Sequence, residues 1–412
     1  MINIIGLGYI GLPTALMFST HDIKVVGTDL NSDLINKLNS GIISFEEPGM
    51  DELLKKAHSR GVIFTDKYQN TDVYIITVPT PYDTVSKRIN PSYVVSAIES
   101  VLKVCTKRAI IIIESTVSPG TIDKYIRPII VKHGLKQGVD IHLAHAPERI
   151  IPGNMVYELK HNSRTIGTDE PIIGEIIKDL YASFCKGEIV LTDIRTAEMT
   201  KVVENTYRDI NIAYANELAM ICHSDDLDVY EIIRIANKHP RVNILQPGPG
   251  VGGHCIPVDP WFLVGDYPSL TNITQAARKI NNGIPQFVIH RNSQIMKKCC
   301  MSDVSRVGLY GLTYKENVND TRESPTLQML EQMENGLAGG LVQVYDPYVH
   351  DNLMPNQHYD LDDFLNSVDL VVIMVAHDQI KKNLWKLDGK IVLDTKNISG
   401  LDSAYKLYGK TE

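Results

Sequence analysis

Apolar residues fall along this chain in two rhythms, and each predicts a different kind of element. Short apolar runs closed by polar or glycine-rich turns recur at 2–5, Ile23–Thr28, Val73–Val78, Ile110–Glu114 and Ile141–Ala146. Runs of that length read as strands buried on both faces, the habit of a parallel sheet. Helical spacing lies between them, so strand and helix alternate and a doubly wound sheet is expected. The alternation restarts near residue 304, with strands expected at Arg306–Tyr310, Val342–Tyr345, Leu370–Val375 and Ile391–Asp394. Between the two regions the rhythm is helical: 196–222 reads as one long helix, Asp225–Ala236 as a second, and Arg278 to Lys298 as a third, interrupted early by Gly283 and Pro285.

On the long helix, at about 100° per residue, Lys201, Asn205 and Arg208 share one narrow arc. Met199, Val202, Val203, Tyr207, Ile210 and Tyr214 occupy the other side, which is the side expected to bury. The polar arc is either a solvated face or a set of donors directed at one ligand.

Glycine placement adds chemistry to this frame. Gly6-Leu-Gly8-Tyr9-Ile10-Gly11 follows the first strand at once and opens a helix expected from Pro13. A G-x-G-x-x-G in that position fits a dinucleotide: one glycine for the turn, one for close approach of the pyrophosphate, one for helix–strand packing. Asp29 ends the second strand 18 residues after Gly11. A carboxylate there accepts both ribose hydroxyls and repels a 2′-phosphate, so NAD is expected rather than NADP. Thr80 and Thr116 end later strands at the edge where cofactors bind in such sheets, although either fits a plain helix cap as well. The fold class expected is therefore α/β, with two Rossmann-like doubly wound parallel-sheet domains joined by a helical middle domain. The expected bounds are 1–195, 196–297 and 298–412.

Gln246-Pro-Gly-Pro-Gly-Val-Gly-Gly-His-Cys-Ile-Pro-Val-Asp-Pro260 is a loop shaped by glycine and proline around Cys255. It is either a tight turn with a structural thiol or the seat of a nucleophile with Asp259 beside it. Glu148-Arg149 lies in another Pro/Gly-bounded loop, as a surface ion pair or a substrate clamp. Lys315 and Arg322 sit in the long polar loop after the first strand of the carboxyl-terminal region, and Lys396 ends its last strand at the same edge. Such side chains suit a phosphate or carboxylate.

Composition narrows the classes. The 412 residues carry a net charge of −8 at pH 7, which argues against a general nucleic-acid binder. Six cysteines without zinc-ligand spacing argue against a metal site and for reduced thiols in the cytoplasm. No apolar run approaches the roughly 20 residues that span a bilayer. The apolar start lacks the basic segment of a signal peptide.

Taken in order, the motifs Gly-Leu-Gly-Tyr-Ile-Gly-Leu-Pro, Val-Pro-Thr-Pro, Glu-Ser-Thr-Val, Ala-Pro-Glu-Arg, the Lys201 helix, Gly-Gly-His-Cys and Thr-Tyr-Lys…Thr-Arg-Glu-Ser-Pro span nearly the whole chain. This series resembles the UDP-glucose/GDP-mannose dehydrogenase family. The resemblance implies a four-electron oxidation of a sugar C6 alcohol to a carboxylate, at the cost of two NAD, through a thiohemiacetal and a thioester on Cys255. By the same resemblance Lys201 and Asn205 stabilise the oxyanion, Asp259 assists proton transfer, Glu148 serves thioester hydrolysis, and Thr116 orients a water. It assigns Gly6, Gly8, Tyr9, Ile10, Gly11, Asp29, Thr80, Thr116 and Arg322 to the cofactor. Arg149, Ile150, Lys201, Asn205, Arg208, His239, Arg241, Gly252, Tyr314, Lys315 and Lys396 fall at substrate positions, with Arg241 reaching across a homodimer built through the middle domain. His239-Pro-Arg-Val-Asn-Ile244 and the run to Pro260-Trp-Phe262 are most similar to the acetamido-sugar branch. Pro152, where UDP-glucose enzymes carry a second glutamate, points the same way. The implied substrate is UDP-N-acetylmannosamine, with UDP-N-acetylglucosamine as the alternative and UDP-glucose a more distant one. A decarboxylating 3-hydroxyacid dehydrogenase would need neither the cysteine nor the second nucleotide domain, and a sensor of NAD and sugar nucleotide would need no thiol.

Overall fold

Two sheets organise the chain in the computed structural model, which describes residues 1–335, 342–398, 401 and 404–408. Contacts divide it into one unit of Met1–Glu204 with Trp261–Pro268 and another of Asn205–Pro260 with Ser269–Glu412.

The first unit holds strands β1 (Ile2–Ile5), β2 (Val25–Thr28), β3 (Ile63–Thr65), β4 (Val73–Ile76), β5 (Ala109–Ile113), β6 (Ile141–His145), β7 (Arg164–Gly167) and β8 (Ile189–Thr192). Their order is β3-β2-β1-β4-β5-β6-β7-β8, so the chain reverses its direction of winding between β1 and β4. All neighbours are parallel except β6 and β7, which run antiparallel with His145 opposite Gly167. The sheet is thus parallel up to β6 and ends in a reversed pair. The first helix, Gly11–Thr20, is buried along its whole length and sets the core with Ile4, Ile75, Ile112 and Ala144.

The second unit carries β9 (Val307–Tyr310), β10 (Gln343–Tyr345), β11 (Gln357–His358), β12 (Leu370–Ile373), β13 (Ile391–Asp394) and β14 (Tyr405–Lys406), all parallel, in the order β11-β10-β9-β12-β13-β14. This repeats the winding of the first six strands. Leu309, Val344, Val372 and Leu393 share one apolar core with Ala215, Ala219, Ile233, Ile284 and Val288 from the helices before them.

Three helix expectations need correction. The helix Asn272–Lys298 is continuous through Gly283 and Pro285. Proline removes one helical hydrogen bond, but burial of Ala277, Ile284, Val288 and Ile295 along one face holds the helix together. The next starts at Val229 rather than 225, because Asp228 accepts from the Tyr230 and Glu231 N–H groups and caps it. The faces of the long helix, Ile194–Ser224, are reversed in part. Lys201 and Asn205 are 7% and 5% exposed, whereas Tyr207 and Tyr214 are 59% and 52% exposed, with Val203 and Ile221 exposed beside them. Amphipathic spacing shows that two faces differ and leaves open which one meets the interior.

Candidate active site

Sterics build the cofactor cradle in the first unit. Gly6 turns the chain at φ +92°, a region L side chains avoid. A Cβ on Gly11 would lie 1.8 Å from the Gly6 carbonyl oxygen, so only glycine lets the helix start against the strand. Thr77, which the sequence did not single out, donates its hydroxyl to the carbonyls of Gly6 (2.6 Å) and Ile5 (2.9 Å) and braces this turn. Nothing lies within 4 Å of a Cβ placed on Gly8, and the Ile10 side chain does not cap the helix. Leu12 and Thr14 donate to the Gly8 and Ile10 carbonyls, but the helix start carries no side-chain cap and is open beside Gly8, the setting in which a helix end binds phosphate. Tyr9 stacks on Phe45 at 4.5 Å. Asp29 is fixed by the N–H groups of Leu7 (2.7 Å) and Asn31 (2.9 Å) and lines a pocket with Gly6, Thr28, Val78, Pro79 and Tyr93. The pocket opens beyond the carboxyl ends of β1, β2 and β4, at the switch point. Anion end, carboxylate and pocket together fit a dinucleotide with a free ribose.

Thr80 caps no helix. Its hydroxyl donates to the Thr116 carbonyl at 2.6 Å and joins the two candidate threonines. The side chains of Glu148 and Arg149 form no ion pair with each other. The Arg149 guanidinium engages Glu204 (2.6 and 2.9 Å), the Ser163 carbonyl (2.8 Å) and Thr165 (2.9 Å). Glu148 accepts from the Arg149 N–H at 2.6 Å and from Arg164. Ile150 belongs to the first core. On the long helix, Lys201 is near enough to His145 for its charge to act there: burial, reinforced by Lys201, pushes the imidazole down to about 4, so it is neutral at physiological pH. Three residues earlier Glu198 accepts from the Gly120 (2.5 Å) and Ile122 (3.0 Å) N–H groups, and burial pushes it up to about 7.

The second unit gathers the cysteine loop and the loop after β9. The Cys255 carbonyl accepts from the N–H groups of Val258 (3.1 Å) and Asp259 (2.8 Å), a turn that leads into the helix Asp259–Asp266. The Cys255 side chain is exposed, while Cys185 and Cys222 are buried. Asn205 donates to Asp259 at 2.6 Å, a buried bond between residues 54 positions apart. Gly252 lies so close to Tyr314 that a Cβ would come within 2.6 Å of the tyrosine Cβ, and the Gly253 N–H donates to the Arg322 carbonyl at 3.0 Å. Lys396 Nζ approaches Gly248 in the same loop. Arg322 is held by both oxygens of Asp320 (2.8 and 2.5 Å). The loop bearing Tyr314 and Lys315 hangs from buried Asp346, which accepts from the N–H groups of Leu312 (2.7 Å) and Thr313 (3.0 Å), with His377 at 3.1 Å. Asp320, Asp346 and His377 gave no signal in sequence. Arg208 is exposed on the long helix, and His239 and Arg241 are exposed in a loop that Asn237 pins through the Ile244 backbone (2.7 and 2.9 Å).

Among the described residues no group of three or more His, Cys, Asp or Glu is arranged to hold a metal, and no helix is long and apolar enough to cross a membrane.

A nucleotide cradle on the first sheet, with a second parallel sheet of the same winding, defines an NAD-dependent nucleotide-sugar dehydrogenase once the matching families are considered. Three models match in succession: the NAD binding domain (residues 1–185), the central domain (195–283) and the UDP binding domain (308–400) of one family. The chain belongs to the UDP-glucose/GDP-mannose dehydrogenase family. It is 42% identical over 410 residues to the UDP-N-acetyl-D-mannosamine dehydrogenase of Methanococcus maripaludis, covering 96% of this chain and 92% of that one. To the enzyme of the same description from Escherichia coli it is 37% identical, covering 96% and 98%. The structure of a UDP-D-ManNAc dehydrogenase from Pyrococcus horikoshii matches with a TM-score of 0.91 at 38% identity, covering 100% of this chain and 99% of that one.

Proposed function

We propose that this enzyme oxidises C6 of UDP-N-acetyl-D-mannosamine to the carboxylate of UDP-N-acetyl-D-mannosaminuronate, in the cytoplasm, where its six cysteines stay reduced. The observation that carries the reading is the cysteine loop: an exposed thiol at Cys255, with Asp259 fixed by Asn205, packed on the loop of Tyr314 and Arg322. The relatives' substrates support the choice of sugar.

The glycine turn and Asp29 would hold NAD, which would supply the hydride acceptor for each of the two oxidations at C6. The chain does the rest. Thr116 orients the water beside the C6 hydroxyl, and Lys201 with Asn205 stabilises the oxyanion that develops there. Cys255 adds through sulfur to the aldehyde, which converts a hard second oxidation into that of a thiohemiacetal. Asp259 relays the proton. Glu148 serves hydrolysis of the resulting thioester, returning the thiol. Arg149, Ile150, Arg208, His239, Gly252, Tyr314, Lys315 and Lys396 hold the UDP-sugar, and Arg322 reaches the cofactor. In this reading 1–195 binds NAD, 196–297 forms the dimer and 298–412 binds UDP.

NADH formed per sugar, with UDP-N-acetylmannosamine offered beside its C2 epimer and UDP-glucose, tests the whole. Two NADH per sugar with the manno compound preferred is the expected result. One NADH per sugar removes the role of Cys255, and preference for the epimer moves the substrate.

Homodimerisation rests on the exposed stripe Val203, Tyr207, Tyr214 and Ile221, successive positions on one face of the long helix. Lysines at both Tyr207 and Tyr214 are expected to shift sedimentation to the monomer with helical content unchanged. A wild-type protein that already sediments as a monomer removes the dimer, and with it the transfer of Arg241 between subunits.

A further inference from the structure

Arg164 opens β7, the strand that runs against β6. Carrying the His145–Gly167 register three residues further brings Arg164 opposite Glu148, on the same face. Its guanidinium donates to Glu148 Oε2 and to Glu114 Oε1, the latter at 2.8 Å, and lies 4.1 Å from the Tyr181 ring centroid. The Tyr181 hydroxyl donates to Glu114 Oε1 at 3.2 Å. Glu114, Arg164 and Glu148 are 1%, 3% and 8% exposed. Burying three charges is costly in solvation, and an apolar trio of similar volume is commonly as stable, so stability alone does not account for them. What the arrangement does supply is a carboxylate of fixed direction: Oε2 tied to Arg164, Oε1 tied to the Arg149 N–H.

We propose that Arg164 and Glu114 are positioning residues that aim the Glu148 carboxylate at the water which hydrolyses the acyl-enzyme, an inference that rests on the reading of Glu148 given above. In that step the water oxygen bonds to the C6 acyl carbon, the carbon–sulfur bond to Cys255 breaks, and the water's proton passes through Glu148 to the leaving thiolate. No electrons change hands.

The groups facing one another here are Glu114, Glu148, Arg164 and Tyr181. Burial pushes Glu114 up to about 7, opposed by Arg164 and reinforced by Glu148, while burial above all keeps the Tyr181 phenol un-ionised. Below pH 7 Glu114 holds a proton, and one guanidinium balances one carboxylate. Above it, the ionised Glu114 competes with Glu148 for the Arg164 guanidinium, which leaves Glu148 Oε2 readier to accept the hydrogen bond of the water. Hydrolysis is therefore expected to rise through about pH 7.

The test uses the full chain with NAD and UDP-N-acetylmannosamine, read by kcat against KM, a pH profile, and the intact mass of acid-quenched enzyme. Glu148→Gln is the reference and is expected to accumulate a sugar-nucleotide adduct on Cys255. Arg164→Lys is expected to lower kcat about 10- to 100-fold, the scale of a misplaced catalytic group, with KM little changed and the same adduct visible. Glu114→Gln keeps the shape of the site and is expected to flatten the rise near pH 7; if Arg164→Lys does not fold, this variant decides. A purely structural role for the triad would lower melting temperature without adduct. An adduct in Glu148→Gln with wild-type turnover and pH profile in the other two overturns the positioning role and leaves the reading of Glu148 standing. Wild-type turnover in Glu148→Gln overturns that reading first.

Discussion

Cys255→Ala is expected to form no uronate, with kcat for the full oxidation lower by about a thousandfold or more, the scale seen when a catalytic nucleophile is removed. Without sulfur the first oxidation leaves a free aldehyde, and the thiohemiacetal on which the second oxidation acts cannot form. No other thiol replaces it in the cysteine loop: Cys185 and Cys222 are buried, and Cys105, Cys299 and Cys300 lie on other elements. Binding should survive, because the glycine turn, Asp29 and the loop after β9 are untouched. Mass spectrometry of the products with NADH counted per sugar checks this. Undiminished uronate with two NADH per sugar from the alanine variant would refute the thiohemiacetal route outright.

Lys201→Met should follow with a loss of about 10²–10³ in kcat, the usual worth of one donor to an oxyanion in a dry site. The ammonium is buried and its field reaches His145, so its charge is poorly screened. Methionine keeps the length and the apolar stem while removing the charge. KM for NAD should stay near the wild-type value, since Gly6, Gly8, Gly11 and Asp29 make the cofactor cradle without it. Steady-state kinetics varying each substrate separate the two effects. A kcat within threefold of wild type would take Lys201 out of the chemistry and leave it a buried cation.

The parts of this molecule that sterics dictate were readable from sequence. Gly11 admits no side chain, Asp29 ends a buried strand, and the alternation of strand and helix marks the central parallel strands of both sheets. What escaped reading depends on partners far along the chain. The β6–β7 reversal was missed because Arg164–Gly167 is four residues long and begins with a charge. With it went the whole Glu114–Arg164–Glu148 cluster. Residues 196–222 showed an apolar and a polar side, yet Lys201 and Asn205 proved buried and Tyr207 and Tyr214 exposed, because the interior that meets the helix comes from elsewhere. The Asn205–Asp259 bond joins a helix to a loop in a way that spacing alone does not encode.

The eight residues Trp261–Pro268 belong to the first unit although the chain has by then entered the second. They are held there by Lys87 over the Trp261 ring at 4.5 Å, by Arg88 Nε on the Gly265 carbonyl at 3.2 Å, and by the Ser118–Asp266 bond. On the ribosome this sets an order of events. At about 5–20 residues per second, a nascent chain that has released Glu204 already carries both halves of the first sheet, yet lacks its last segment for several seconds more. During that interval Lys87, Arg88 and Ser118 wait without these partners, and the delay itself is written into the gene as the length of the intervening helix and loop.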